Sequence, residues 1–414
     1  MEQITAGARK RAGTPGLAAG ACERAGRRAS PPLPAWAFTA FAVASFGGPL
    51  ALAASGAPSV VGDAAGSSGF AMLAGAVVFL VPLAIWLRYS REIISSGGLF
   101  AFVEAAAGRR VALAQGAIWI FSYLLYVVYT TVQIVYDLLP SVLPGEGRYQ
   151  TVLALAIPAA LVAVMLAGRA ATFLVFGVIA AGQLALAGIL DAVTLAHLST
   201  PLSSFGTGAG TQAVAKASAQ TSLLYVCGSL PLFLGGELSA PAQRTIRRGL
   251  ILAFVATAVV IVLAVAPLAS MPGLLSTAVP GVSVAQQFAS PAVAKAIGIG
   301  VAVSTAGVIL AEYVALTRLI HHIGHWRIRP IAAAIGAVAI LAAPISLIDP
   351  DGFYNTLLKP SEVALWVSQL IVFAAFPLFA FKRGLRMWPA LALAAGASAF
   401  AVYGIVTALQ AASS

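Results

Sequence analysis

Eleven runs of roughly 20 apolar residues take up most of this 414-residue chain, and two of them are broken near their middles by glycine and proline. No water-soluble fold needs so many such runs. The chain is 60% hydrophobic and 9% charged, with a mean hydropathy of +0.95, whereas soluble domains carry about 25% charged residues. The fold class that follows is all-α integral membrane, with about 11 transmembrane helices. We place the spans at 35–62, 69–87, 111–137, 150–167, 171–197, 221–240, 249–270, 291–320, 330–348, 361–381 and 388–410.

Charge orients them. All but four of the 24 basic residues fall in the N-terminal tail or in alternate connections, the exceptions being Arg148, Lys216, Lys295 and Lys359. Basic residues collect in cytoplasmic loops, so the N-terminus is expected to be cytoplasmic and the protein a multi-pass component of the cell membrane. Eleven spans then put the C-terminus outside. Residues 1–34 read as a disordered basic cytoplasmic tail able to touch anionic lipid. The apolar run that follows starts too late and runs too long for a cleaved signal peptide. The net charge of +11 is accounted for by these loops and calls for no nucleic-acid partner. Cys22 and Cys227 sit in settings too different to pair, and neither has metal-ligand spacing around it.

The breaks carry the functional argument. Span 1 contains Ser45, Phe46, Gly47, Gly48 and Pro49 about a dozen residues in, roughly 18 Å deep and close to the midplane. Span 6 enters from the other face and is broken at Cys227–Pro231. Backbone freed within hydrocarbon must be satisfied by protein, cavity or ligand. A matched pair of broken helices points to an inverted repeat with a midplane site. Spans 1–5 (35–197) and 6–10 (221–381) form the expected five-plus-five repeat. Residues 198–220 are an extracellular loop, and 382–414 hold an additional eleventh span.

Other polar residues are weighed singly. Span 3 carries Trp119, Phe121, Tyr123, Tyr126, Tyr129 and Tyr136, mostly for packing, with one or two free to face a cavity. Span 5 holds Gln183 and Asp191, the latter near the outer end and open to partial solvation. Adjacent Ser304 and Thr305 in span 8 either bond their own backbone or, as hard oxygen donors, coordinate sodium. Glu312 is expected to pair with a loop arginine, and Glu237 with the arginines near it. His321, His322 and His325 lie in a basic loop without acidic or cysteine partners.

Three stretches resemble the amino acid–polyamine–organocation superfamily of secondary transporters. Ser95-Ser96-Gly97-Gly98-Leu99-Phe100, followed by Gly108-Arg109-Arg110, is similar to its linker between helices 2 and 3. Glu237-Leu238-Ser239-Ala240-Pro241 with Thr245-Ile246-Arg247-Arg248 is similar to its turn after helix 6. Thr317-Arg318-Leu319 is similar to its end of helix 8. The resemblance spans about 300 residues. It implies an amino acid permease-like protein whose small-molecule substrate lies between the unwound parts of helices 1 and 6. Carried onto this chain, it assigns substrate contact to Phe46, Gly47, Gly48, Tyr225, Cys227, Gly228 and Ser229. It also implies a coupling ion, Na+ or H+, and no organic cofactor. The hydroxyl pair Ser304-Thr305 resembles that of sodium-coupled relatives, while the helix 5 lysine of proton-coupled relatives is missing.

The expected function is secondary active transport of an amino acid or small amine by alternating access. The alternatives are a proton-coupled or exchange transporter of another organic solute, or a channel. A channel would want a ring of charge along a pore. An enzyme would need paired carboxylates or a His/Asp constellation at membrane depth, and the spans offer none.

Overall fold

Eleven helices long and apolar enough to cross a membrane are present among the described residues of the computed structural model, which are 31–143 and 146–410. The basic residues of the N-terminal tail, and Cys22 with them, lie outside the described residues. The spans are Ala35–Val60, Gly62–Glu92, Arg109–Ser141, Tyr149–Ala167, Arg169–His197, Thr211–Glu237, Ala242–Ser270, Pro291–Gly324, Ile328–Ser346, Pro350–Lys382 and Met387–Gln410, numbered 1 to 11. No strand occurs among the described residues; Leu33 and Leu238 form one isolated bridge. Leu33 also donates its N–H to the Glu237 carbonyl at 2.7 Å.

Two boundaries differ from the sequence expectation. Span 6 starts at Thr211, so half of the expected loop 198–220 is helical. Span 10 starts at Pro350, about three turns before the expected 361. Both early turns are polar, with Gln212 and Lys216 in one and Asp351, Asn355 and Lys359 in the other. Hydropathy therefore undercounts them, although each belongs to the same helix as the residues that follow it.

The pairing of spans shows the repeat. Exchanging each span for the one five places on turns the contact of 1 with 7 into that of 6 with 2. The contact of 5 with 8 becomes that of 10 with 3, while the pairs 4 with 9, 3 with 8 and 2 with 7 map onto themselves. The connections obey the same rule. A short helix, Gly98–Ala107, follows span 2 and packs on spans 3 and 10 and the second half of span 6. Its counterpart, Pro280–Phe288, follows span 7 and packs on spans 8 and 5 and the second half of span 1. Sequence reading finds the first linker from its glycine pair; the second has no such mark. Span 11 stands outside the repeat, against spans 10 and 2.

One face is tied together by charge. Glu237, at the end of span 6, accepts Arg318 Nε at 2.8 Å and lies 3.2 Å from Arg169 Nε, joining the end of span 8 to the start of span 5. Glu237 does pair with arginines, but with two distant in sequence. The linker closes over it: a Cβ at Gly236 would stand 2.8 Å from Ser96 N, and one at Gly98, where φ is +50°, 2.5 Å from the Phe233 ring. Only glycine fits there.

Candidate functional site

Both breaks exist, and they touch. In span 1 the α-helix Ala35–Ser45 ends at Phe46. Gly47 and Gly48 take φ of +80° and +68°, a region that costs L-residues with side chains dearly. Pro49 then restarts the helix at a position where its missing N–H is no loss, and a π-wound turn, Leu52–Gly56, follows.

Span 6 is interrupted differently. Its α-helix Thr211–Leu223 gives way at Leu224 and Tyr225 to a 3₁₀ segment, Val226–Glu237. The change of winding thus begins before the expected Cys227–Pro231. Gly228 and Pro231 lie inside the tighter segment, where glycine weakens and proline deprives an α-helix of its bonds. A Cβ at Gly47 would stand 3.1 Å from the Leu224 carbonyl, and one at Gly228 would stand 2.4 Å from Phe46 Cε1. The two interruptions are one packed feature.

Above them, on the side away from Glu237, is a cavity of about 370 Å³. Half-buried Gly47 and Leu224 line it from the breaks, and Ser55 and exposed Ser59 carry it along span 1. Span 3 contributes Tyr126, Tyr129 and Gln133; span 8 contributes Val301, Thr305 and Val308; span 10 contributes Tyr354, Leu358 and Glu362. Every lining residue lies at the middle of its span or in the half remote from the Arg169–Glu237–Arg318 knot. The site is open to one face and packed shut toward the other.

The expected site residues divide accordingly. Gly47 and Thr305 reach the cavity. Gly48 lies behind it, where a Cβ would meet Ser304 Oγ at 2.4 Å. Phe46 and Tyr225 are fully buried in an aromatic cluster. Tyr225 packs 5.3 Å from Phe79 and 5.2 Å from Phe254, and Phe46 6.3 Å and 6.1 Å from the same rings. Cys227, Gly228 and Ser229 lie beneath the cavity. Ser229 Oγ donates to the Val226 carbonyl and accepts from Gln369 Nε2 at 3.3 Å.

Ser304 and Thr305 address different neighbours. Ser304 Oγ donates to Gln183 Oε1 at 2.6 Å and accepts from Ala51 N at 3.4 Å, which joins spans 5 and 8 to the restart of span 1. Thr305 Oγ1 donates to the Val301 carbonyl at 3.0 Å. Gln183 matters more than its sequence setting suggests, because it faces the break directly; its Nε2 is buried without a partner.

Two carboxylates depart from expectation. Glu312 pairs with no arginine. It is fully buried, accepts from Cys227 Sγ at 3.8 Å, and leaves Oε2 without a partner. The loop arginine Arg318, a turn and a half away, is taken by Glu237. Asp191 is 7% exposed rather than partly solvated, with Oδ1 unpartnered. Neither His321, His322 and His325 nor any other side chains form a metal-ligating group of three among the described residues.

Solved structures share this arrangement. A structure of MhsT in complex with L-phenylalanine superposes with a TM-score of 0.58 at 16% identity, covering 90% of this chain and 98% of that one. A substrate-bound, outward-open structure of a Na+-coupled sialic acid symporter gives 0.58 at 11% identity, covering 91% of this chain and 90% of that one. The chain has the LeuT fold. No protein-family model and no curated protein sequence matches it. In LeuT-fold terms the five-plus-five repeat, the two broken spans and the cavity between them are all in place.

Proposed function

We propose that this LeuT-fold chain is a secondary transporter that carries an amino acid or related small amine across the cell membrane by alternating access. The observation that carries this reading is the cavity at the junction of the two breaks, lined by exposed Ser59 toward one face and floored by the packed breaks toward the face that holds Glu237 and its arginines. Such an asymmetric site is what one half of an alternating-access cycle requires. Placing the arginine-rich face in the cytoplasm puts the N-terminus inside and the cavity mouth outside. The positive dipole end of restarted span 1 lies beside Gly47 at the cavity floor, which suits a carboxylate. The partial resemblance to the amino acid–polyamine–organocation superfamily agrees with this substrate class.

The test is uptake into proteoliposomes of labelled L-amino acids and primary amines, with and without a sodium gradient. Accumulation of at least one of them above protein-free liposomes is expected. Complete failure to take up or exchange any member would sink the reading.

A coupling ion, sodium or a proton, belongs to the same proposal, with Ser304 and Thr305 as the sodium candidates. Ser304 sits against the span 1 break and is the better placed of the two. If sodium is the ion, Ser304→Ala is expected to raise the sodium concentration for half-maximal uptake about tenfold, equivalent to roughly 1.4 kcal/mol. Thr305→Ala, whose hydroxyl bonds its own helix, is expected to do less. Uptake indifferent to sodium in the wild-type protein removes both residues from the role.

A further inference from the structure

We propose that Glu362, together with the rings of Tyr126, Tyr129 and Tyr354, is the recognition site for an organic ammonium group. The inference rests on the transporter reading and names the charge its substrate carries. Glu362 is the one charged residue that lines the cavity, and no lysine, arginine or histidine lines it among the described residues. It lies in span 10, within the part that hydropathy misses or barely reaches.

A carboxylate at membrane depth ordinarily has a partner, and Glu362 has no hydrogen-bond or ion-pair partner among the described residues. Lys359, one turn earlier on the same helix, forms no ion pair with it. What surrounds the carboxylate is aromatic. The Tyr129 and Tyr354 rings meet edge to face at 5.3 Å between centroids and an 89° angle, and Tyr126 lies 5.1 Å from Tyr129. Ring faces attract cations, most strongly where water is scarce. A carboxylate alone would take sodium as readily as an amine. Three tyrosines beside it favour a cation with an organic body, whose C–H surface the rings can cover.

The geometry also moves the expected substrate contact. The resemblance assigns substrate contact in span 6 to Cys227, Gly228 and Ser229, none of which lines the cavity. The acid of span 10 lies in it.

The test is binding to the full chain, purified in nanodiscs at mildly alkaline pH and followed by thermal shift. The probes are n-butylamine, phenethylamine and putrescine, each against the alcohol of the same length, with sodium chloride titrated separately. We expect at least one amine to stabilise the protein and its alcohol to bind at least about tenfold more weakly. Glu362→Gln should weaken that amine about tenfold or more while leaving the unliganded melting temperature and the alcohol response unchanged. Tyr354→Leu should weaken the amine and Tyr354→Phe should preserve it, so the result does not depend on one variant folding.

No amine-specific shift in the wild-type protein overturns the inference, as does an amine shift indifferent to Glu362→Gln. A sodium shift that vanishes in Glu362→Gln with no amine response assigns the residue to an inorganic cation and overturns it too. The two readings fail separately. Uptake of an amino acid or amine that Glu362→Gln leaves unchanged keeps the transporter standing without this site. Glu362-dependent amine binding with no transport of any panel member leaves the site standing without the transporter.

Discussion

Gly228→Val will reduce uptake about a hundredfold, the scale expected when site geometry shifts by an ångström. The new Cβ would stand 2.4 Å from both Cε1 and Cζ of Phe46. The ring has nowhere to go, because Phe46 is fully buried between Phe79 and Phe254. Overpacking of this kind costs roughly 1–3 kcal/mol, and the strain falls where the two interrupted spans meet. The floor of the cavity then parts, since Gly47 and Leu224 are held by the same contact. Removing the ring should reverse the effect: Phe46→Ala in the Gly228→Val background is expected to recover part of both the melting temperature and the uptake. Normal uptake by Gly228→Val would mean that the interruptions separate in the working protein.

The second large effect concerns the closed face. Glu237→Gln will lower stability by about 1–3 kcal/mol, between the exposed and the fully buried ion-pair limits, since the Glu237 side chain is 18% exposed. Arg318 has a side chain only 7% exposed and loses its carboxylate, while Arg169 is left facing it. Beyond stability, the loss should open the face. Cys227 is buried between that face and the cavity and serves as a native reporter once Cys22 is replaced by serine. Labelling of Cys227 by a membrane-impermeant maleimide applied from the arginine-rich side should rise about tenfold in Glu237→Gln, a shift of roughly 1.4 kcal/mol in the opening equilibrium. Unchanged labelling with a lowered melting temperature would make the knot a fastening of the fold and not a gate.

Much of the fold is legible in the sequence because lipid imposes simple rules. Length and hydropathy find every span, and glycine beside proline finds both interruptions. What hydropathy misses are helical turns with polar side chains, at Thr211–Gln220 and Pro350–Lys359. They are stabilised by packing and backbone bonds that composition does not register. That omission has a functional cost, since Tyr354 and Leu358 lie in the missed turns and Glu362 just beyond them.

The site is less legible than the scaffold. In uniformly apolar helices no periodicity says which face meets a cavity. Tyr225 and Tyr129 look equivalent in sequence, yet one is walled in by phenylalanines and the other lines the cavity. Glu312 is similar. Its spacing from Arg318 excludes an ion pair within the helix, but only the folded chain brings Cys227 beside it. Glu237 illustrates the opposite outcome, an expected arginine partnership met by arginines from spans 5 and 8.

The tight winding of Val226–Glu237 has a mechanical consequence. These 12 residues rise about 2.0 Å each, or roughly 24 Å in all. Wound as an α-helix they would reach only about 18 Å. The segment is anchored at one end to the aromatic cluster through Tyr225 and at the other to two arginines through Glu237. Converting its i→i+3 bonds to i→i+4 bonds, with Pro231 donating none in either winding, would draw those anchors about 6 Å closer. The stretch is therefore an extended spring, tethered at one end beside the cavity and at the other in the ion pairs of the closed face.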